Sequence, residues 1–112
     1  MLYDISQLKF LFSDDHAFLK DVIKQFIDDV VAAEADIQQA YANGDFEQEK
    51  YHLHRLKSPV NNFGANKVSV IVDILEGMAA ENKNNEEHAN LIKQLNVELA
   101  AVIEALKVDH AI

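Results

Sequence analysis

His54 and Lys57 stand about one helical turn apart in the stretch KYHLHRLKSPVNNFGANK, residues 50–67, and an imidazole beside an ammonium group suits an anionic reactant. The chain carries nineteen Asp and Glu against ten Lys and Arg, yet these eighteen residues hold no acid, four bases and two of the five histidines. Neutral imidazole, with an ordinary pKa of about 6.5, is a competent nucleophile toward an activated phosphoryl group near neutral pH. A neighbouring lysine can hold the phosphoryl oxygens, and a stretch without carboxylates does not repel a dianion. Acyl chemistry fits less well, because it wants a third group orienting the ring and an oxyanion hole.

The spacing assigns faces. On a helix that turns about 100° per residue, Phe46, Leu53, Leu56, Val60 and Phe63 form an apolar stripe. His54 falls roughly 140° from its centre and His52 about 60° from it, so His54 is predicted to face solvent and His52 to edge the core. Lys50, Lys57, Ser58 and Asn61 share the face of His54. By spacing alone, the ordinary reading of such a histidine is a solvated surface side chain; the local charge bias favours chemistry. A chelate is disfavoured, since His52 and His54 diverge by about 200° where metal binding wants residues four apart. His16, His88 and His110 lie near helix or chain ends without a chelating partner at helical spacing, and are expected to be surface or capping residues. Glu86-Glu87-His88 has no matching motif elsewhere, which argues against a metal or haem held between helices.

The elements that must position these residues are helical. Three glycines, one proline and abundant Ala, Leu, Glu, Lys and Gln leave little for an all-β design. Asp4 is a candidate cap for a short first helix carrying Ile5, Leu8, Leu11 and Phe12. Ser13 is expected to cap a longer helix with Asp14 and Asp15 in its first turn and Leu19, Val22, Phe26, Val30, Ala33 and Ile37 inward, ending at Asn43-Gly44. Asp45 and Gln48 form a plausible capping box for the third helix. A fourth opens near Asn66 with Val68, Ile71, Ile74, Leu75 and Met78 inward. ENKNNEE is read as a linker, and Asn85 as the cap of a fifth helix on Leu91, Leu95, Leu99, Val102 and Leu106, fraying at VDHAI. Four amphipathic helices with short loops predict an all-α, antiparallel four-helix bundle with a short additional N-terminal helix, one domain over residues 1–112.

A net charge of -9 opposes nucleic-acid binding. There is no cysteine, no signal-peptide pattern at MLYDISQLKF, and no run approaching the roughly 20 apolar residues of a membrane span. A soluble cytoplasmic module without membrane insertion is expected. The stripes can be satisfied internally, so a monomer is expected as well.

Taken together, the residues resemble the histidine-containing phosphotransfer (HPt) domains of multistep phosphorelays. The signature is a histidine, any residue, an apolar residue, lysine, then small residues, with a glycine ten positions after the histidine; here it reads His54-Arg55-Leu56-Lys57-Ser58 and Phe63-Gly64-Ala65. LFSDDHAFLKDVIKQFIDDV and the YANGDFEQ turn look like the family's first helices, whereas the last helix matches only in being amphipathic. The resemblance implies that His54 is the phosphoacceptor, that Lys57 helps bind the phosphoryl oxygens, and that Gly64 with Ala65 closes the helix. It places Glu76 where a polar side chain often bonds the other imidazole nitrogen. Lys50, Arg55, Ser58, Asn61, Gly64 and Ala65 would form the surrounding binding face.

The implied partners are receiver domains of hybrid sensor kinases and response regulators. No cofactor is intrinsic, Mg2+ coming with the receiver, and no autokinase or ATPase activity is expected. Two departures stand out. Ser58 replaces a usual glycine, and Pro59 removes a backbone donor inside the helix, predicting a kink after His54 before the helix resumes. An HPt-like bundle that only docks partners, without phosphorylation, is the alternative.

Overall fold

The computed structural model describes residues 1–12 and 14–112. These form five helices and no strand: α1 (Ser6–Leu11), α2 (His16–Ala42), α3 (Phe46–Asn62), α4 (Asn66–Ala80) and α5 (Glu86–His110). Neighbours pack in the cyclic order α2, α3, α4, α5 and back to α2, so the four long helices enclose one core. Because consecutive helices are joined by short turns they alternate in direction, which makes the antiparallel bundle that the stripes predict.

Each start and stop has a local cause. Asp45 accepts the Gln48 backbone N–H at 3.1 Å and Asn85 accepts that of His88 at 2.9 Å, satisfying donors that a helix start leaves free. Asp15 caps α2 by accepting from Phe18 N–H at 2.8 Å, so α2 has no acid in its first turn, where Asp14 and Asp15 were expected; the expected cap Ser13 lies outside the described residues. Asp4 works from one residue outside the α1 cap position, its carboxylate accepting from both the backbone and hydroxyl of Ser6. At the other chain end α5 runs to His110, into the VDHAI segment expected to fray, and Tyr3 donates its hydroxyl to Asp109 at 2.5 Å, tying the two ends together.

The core holds the predicted stripes with some shifts of phase. Ile23 and Ile27 are buried in α2 while Val22 and Ala33 only flank the core. In α4 the inward set is Val68, Ile71, Val72, Leu75 and Ala79; Ile74, expected inside, is 42% exposed, lying more than 100° around the helix from the centre of that set. In α5, Ile92 is buried and Leu91 lies at the margin.

The larger correction concerns His88. Expected at the surface, it is fully buried, and so is Glu49; His88 Nε2 lies 2.7 Å from Glu49 Oε2 and His88 Nδ1 lies 2.6 Å from the Lys83 carbonyl. A carbonyl only accepts, so Nδ1 carries a proton, and Nε2 and the carboxyl group share another whichever of them holds it. Tyr41 and Phe46 pack their rings against this imidazole. Burial pushes the Glu49 carboxyl group's pKa up, against the lowering effect of its bond to His88. Removing either partner would strand a buried polar group, which is why such pairs are costly to break. The pair joins the starts of α3 and α5 to the loop between α4 and α5.

A second buried acid, Glu34, sits in the seam between α2 and α5, where Oε1 accepts from Gln38 at 2.8 Å and Asn96 at 3.1 Å. Burial raises its pKa above the ordinary 4.5, its two amide donors offsetting only part of the effect. The folded state therefore holds this proton more tightly than the unfolded chain. Its contribution to stability is whole below pH 4.5 and is lost as the pH rises through the folded-state value. Glu34→Gln mimics the protonated form. Urea titrations from pH 4.5 to neutrality should show the variant gaining on the native chain as the pH rises; parallel curves would contradict the assignment.

The α3–α4 turn is the tightest constraint. Gly64 has φ +62°, and a Cβ placed there would stand 2.5 Å from the Asp4 carbonyl oxygen and 2.8 Å from its nitrogen. That approach lets Asp4 N–H donate to the Phe63 carbonyl at 3.0 Å, sealing the turn with the N-terminal segment, while Phe63 stacks on Phe26 of α2 at a ring separation of 3.8 Å. Gly64→Ala should cost about 2 kcal/mol or more from strain and displaced backbone. An unchanged chemical denaturation midpoint would refute this account of the turn.

Candidate functional site

α3 carries His54 on its outer face because Leu53, Leu56 and Val60 commit the other face to the core. The His54 side chain is 72% exposed, as its place on the helical wheel predicts, whereas His52 is mostly buried and has Asp36 Oδ2 at 3.9 Å. α3 continues through Pro59 to Asn62, so the helical phase from His54 to the end of α3 is kept.

α4 supplies what surrounds the ring. Glu76 Oε1 lies 3.1 Å from His54 Nδ1, and Glu76 Oε2 lies 2.6 Å from Lys57 Nζ, with Asp73 Oδ1 3.3 Å from the same ammonium. Ser69 Oγ donates to Asn61 Oδ1 at 2.7 Å one turn further along. These contacts form a ladder centred on Ala65: Asn61 and Ser69 lie four residues to either side, Lys57 and Asp73 eight, His54 and Glu76 eleven. The ladder is the register of two antiparallel helices joined at one tight turn. Residues 50–67 hold no acid themselves, but α4 brings two carboxylates, Glu76 and Asp73, against them. Asp73 was missed, although its distance from the turn, equal to that of Lys57, would have revealed it.

The charges settle one another. Burial alone would raise the Glu76 carboxyl group, but its contacts with Lys57 and His54 hold it below its usual range, so it is ionised near neutrality. The Lys57 ammonium is held above its usual pKa by Glu76 first and by Asp73 second. An ionised Glu76 can only accept, so a neutral His54 ring bonded to it carries its proton on Nδ1 and leaves the Nε2 lone pair free.

The other predicted residues divide between two sides of this ridge. Arg55, Ser58, Pro59 and Asn62 line a groove of about 420 Å³ with Asp29, Ala32, Ala33 and Asp36 of α2. Arg55 also rests over the Tyr51 ring at 5.5 Å. Lys50 lies instead toward α4, sharing a shallow cleft with Glu47, Ala79 and Ala80. Gly64 and the buried Ala65 belong to the turn and position the face without forming it. Among the described residues no three His, Asp or Glu side chains come together in a way that would hold a metal ion, and no helix is long and apolar enough to cross a membrane.

Comparison with protein families finds the Hpt domain model matching residues 21–107, a span that includes the His54 ridge, all of α3 and α4 and most of α2 and α5. The chain belongs to the Hpt domain family. Membership makes it a histidine phosphotransfer module of the phosphorelay type. Among solved structures, the Hpt fold seen here is shared with histidine-containing phosphotransfer protein B from Pseudomonas aeruginosa PAO1, with a TM-score of 0.87 at 21% sequence identity, over 98% of this chain and 95% of that one. Comparison with curated proteins gives no match.

The tautomer is open to measurement. In 15N-detected NMR at neutral or mildly alkaline pH, neutral His54 of this Hpt domain should show the Nδ1–H form, and Glu76→Ala should shift it toward the Nε2–H form. Identical nitrogen shifts in the two chains would mean that Glu76 does not orient the ring.

Proposed function

We propose that His54 is the phosphoacceptor of a phosphorelay carrier, taking its phosphoryl group from the aspartyl phosphate of one receiver domain and yielding it to the aspartate of another. The observation that carries this reading is the pairing of Glu76 with His54 Nδ1, which leaves Nε2 as the exposed nucleophile. In the forward step the Nε2 lone pair bonds to phosphorus as the bond from phosphorus to the aspartyl oxygen breaks, and the carboxylate leaves. The ring, still protonated on Nδ1, becomes a phosphorylated imidazolium whose positive charge faces Glu76. The reverse step returns the electron pair to Nε2.

Lys57 neutralises the transferred oxygens, and such transfer rests mostly on positioning and charge. Receiver domains fit on charge: residues 50–57 carry three bases and no acid on an otherwise acidic chain, which suits the acidic pocket of a receiver that would also bring the Mg2+. Asp73 and Glu76 are both engaged by Lys57 and are poorly placed to serve as ligands to that ion. We assign no autokinase or ATPase role, since the chain contains no glycine-rich phosphate loop.

The test is transfer from a panel of phosphorylated receivers to the native chain and to His54→Gln, with the product assayed for acid-labile, alkali-stable phosphate. Transfer to the native chain, abolished in a variant whose circular dichroism is unchanged, is the expected result. A well-folded native chain that accepts nothing from any receiver would instead favour a docking module that has given up the chemistry.

A further inference from the structure

Lys57 is the side chain expected to meet the phosphoryl oxygens, yet it is turned toward α4 and held by two carboxylates. Glu76 alone would satisfy it, at 2.6 Å. Asp73 adds a second anion at 3.3 Å from one turn earlier on α4, and among the described residues it contacts no other charged side chain. The two acids are not equivalent. Glu76 is committed to the imidazole through its other oxygen, whereas Asp73 touches only the ammonium. Nε2 is the ring nitrogen away from Glu76, so a phosphoryl group bonded there can gain Lys57 only by drawing it from these partners.

We propose that Asp73 is a positioning residue, one that parks the Lys57 ammonium against α4 and so sets how readily an arriving phosphoryl group recruits it. This rests on the phosphoacceptor reading of His54. The consequence is a lysine whose charge is met by its partners while the face is empty, at the expense of slower phosphorylation. An opposing carboxylate on a half-exposed pair is a weak brake, which makes it adjustable by single substitutions without loss of the fold.

A small donor isolates the effect from receiver docking. With phosphoramidate, the Nε2 lone pair bonds to phosphorus while the bond from phosphorus to the protonated amine breaks and ammonia leaves; the ring keeps its Nδ1 proton. Phosphorylation of the full chain would be followed by 31P NMR and intact mass for the native protein, Asp73→Asn, Asp73→Glu, Lys57→Met and the Asp73→Asn, Lys57→Met double variant. Asp73→Asn should react about two- to five-fold faster, the range that weak exposed ion pairs allow. Asp73→Glu should stay near the native rate, and the gain should vanish when Lys57 is absent.

An unchanged rate in Asp73→Asn would overturn the proposal. So would an equal gain in the Lys57→Met background, which would mark a general field effect of a surface charge. As a readout independent of rate, the Lys57 side-chain carbon should titrate at lower pH in Asp73→Asn than in the native chain; coincident titrations would also overturn it. A His54→Gln chain labelled as fast as the native would instead remove the phosphoacceptor reading itself.

Discussion

α3 and α4 are joined through Phe63, Gly64 and Ala65 alone, and the shortness of that connection decides which side chains can meet across the two helices. With a rise of about 1.5 Å per residue, positions equally distant from the turn end up level with one another. His54 therefore meets Glu76, Lys57 meets Asp73, and Asn61 meets Ser69. A longer loop would let the helices slide, and even one residue of slip would rotate the partners away by about 100°. The positive φ of Gly64 and the close packing of Asp4 over it thus set the geometry around His54, though neither touches the histidine.

That register produces a compact electrostatic unit on a chain of net charge -9. Two carboxylates, one ammonium and one neutral imidazole leave the unit mildly negative. On the proposed phosphoacceptor role of His54, an incoming dianion is accommodated because the lysine can be shared and because the ring becomes cationic as the new bond forms. Glu76 is the residue that couples these changes, with one oxygen on the lysine and the other on the ring. Its low pKa follows from the same two contacts and keeps it an acceptor throughout the neutral range.

What was legible in the sequence is what depends on local spacing. The caps Asp45 and Asn85, the stop at Asn43-Gly44, the inward stripes and the outward place of His54 all follow from neighbours within two turns. What was missed depends on pairing between helices. Asp73 is exposed and lies off the buried stripe of α4, so only the register reveals it. Glu49 and His88 sit in first helical turns, where polar residues ordinarily serve the helix end, and this hid them. Their phase, however, was informative: 49, 53, 56, 60 on α3 and 88, 92, 95, 99 on α5 are continuous buried series, so both belong to the stripes.

Those two histidines show how one side chain type is turned to opposite ends within a single small bundle. Each is bonded to a glutamate from another helix, at 3.1 Å for His54 and 2.7 Å for His88. The difference is in the second nitrogen. His88 spends it on the Lys83 carbonyl and is sealed from water, so no lone pair or proton is left for an outside reactant. The second nitrogen of His54 meets no hydrogen-bond partner among the described residues, and its side chain stands in solvent. A glutamate beside a histidine is therefore not by itself a sign of reactivity. Reactivity requires that the bond fix one nitrogen while the fold leaves the other unused and reachable, and in this chain the turn at Gly64 arranges that for His54.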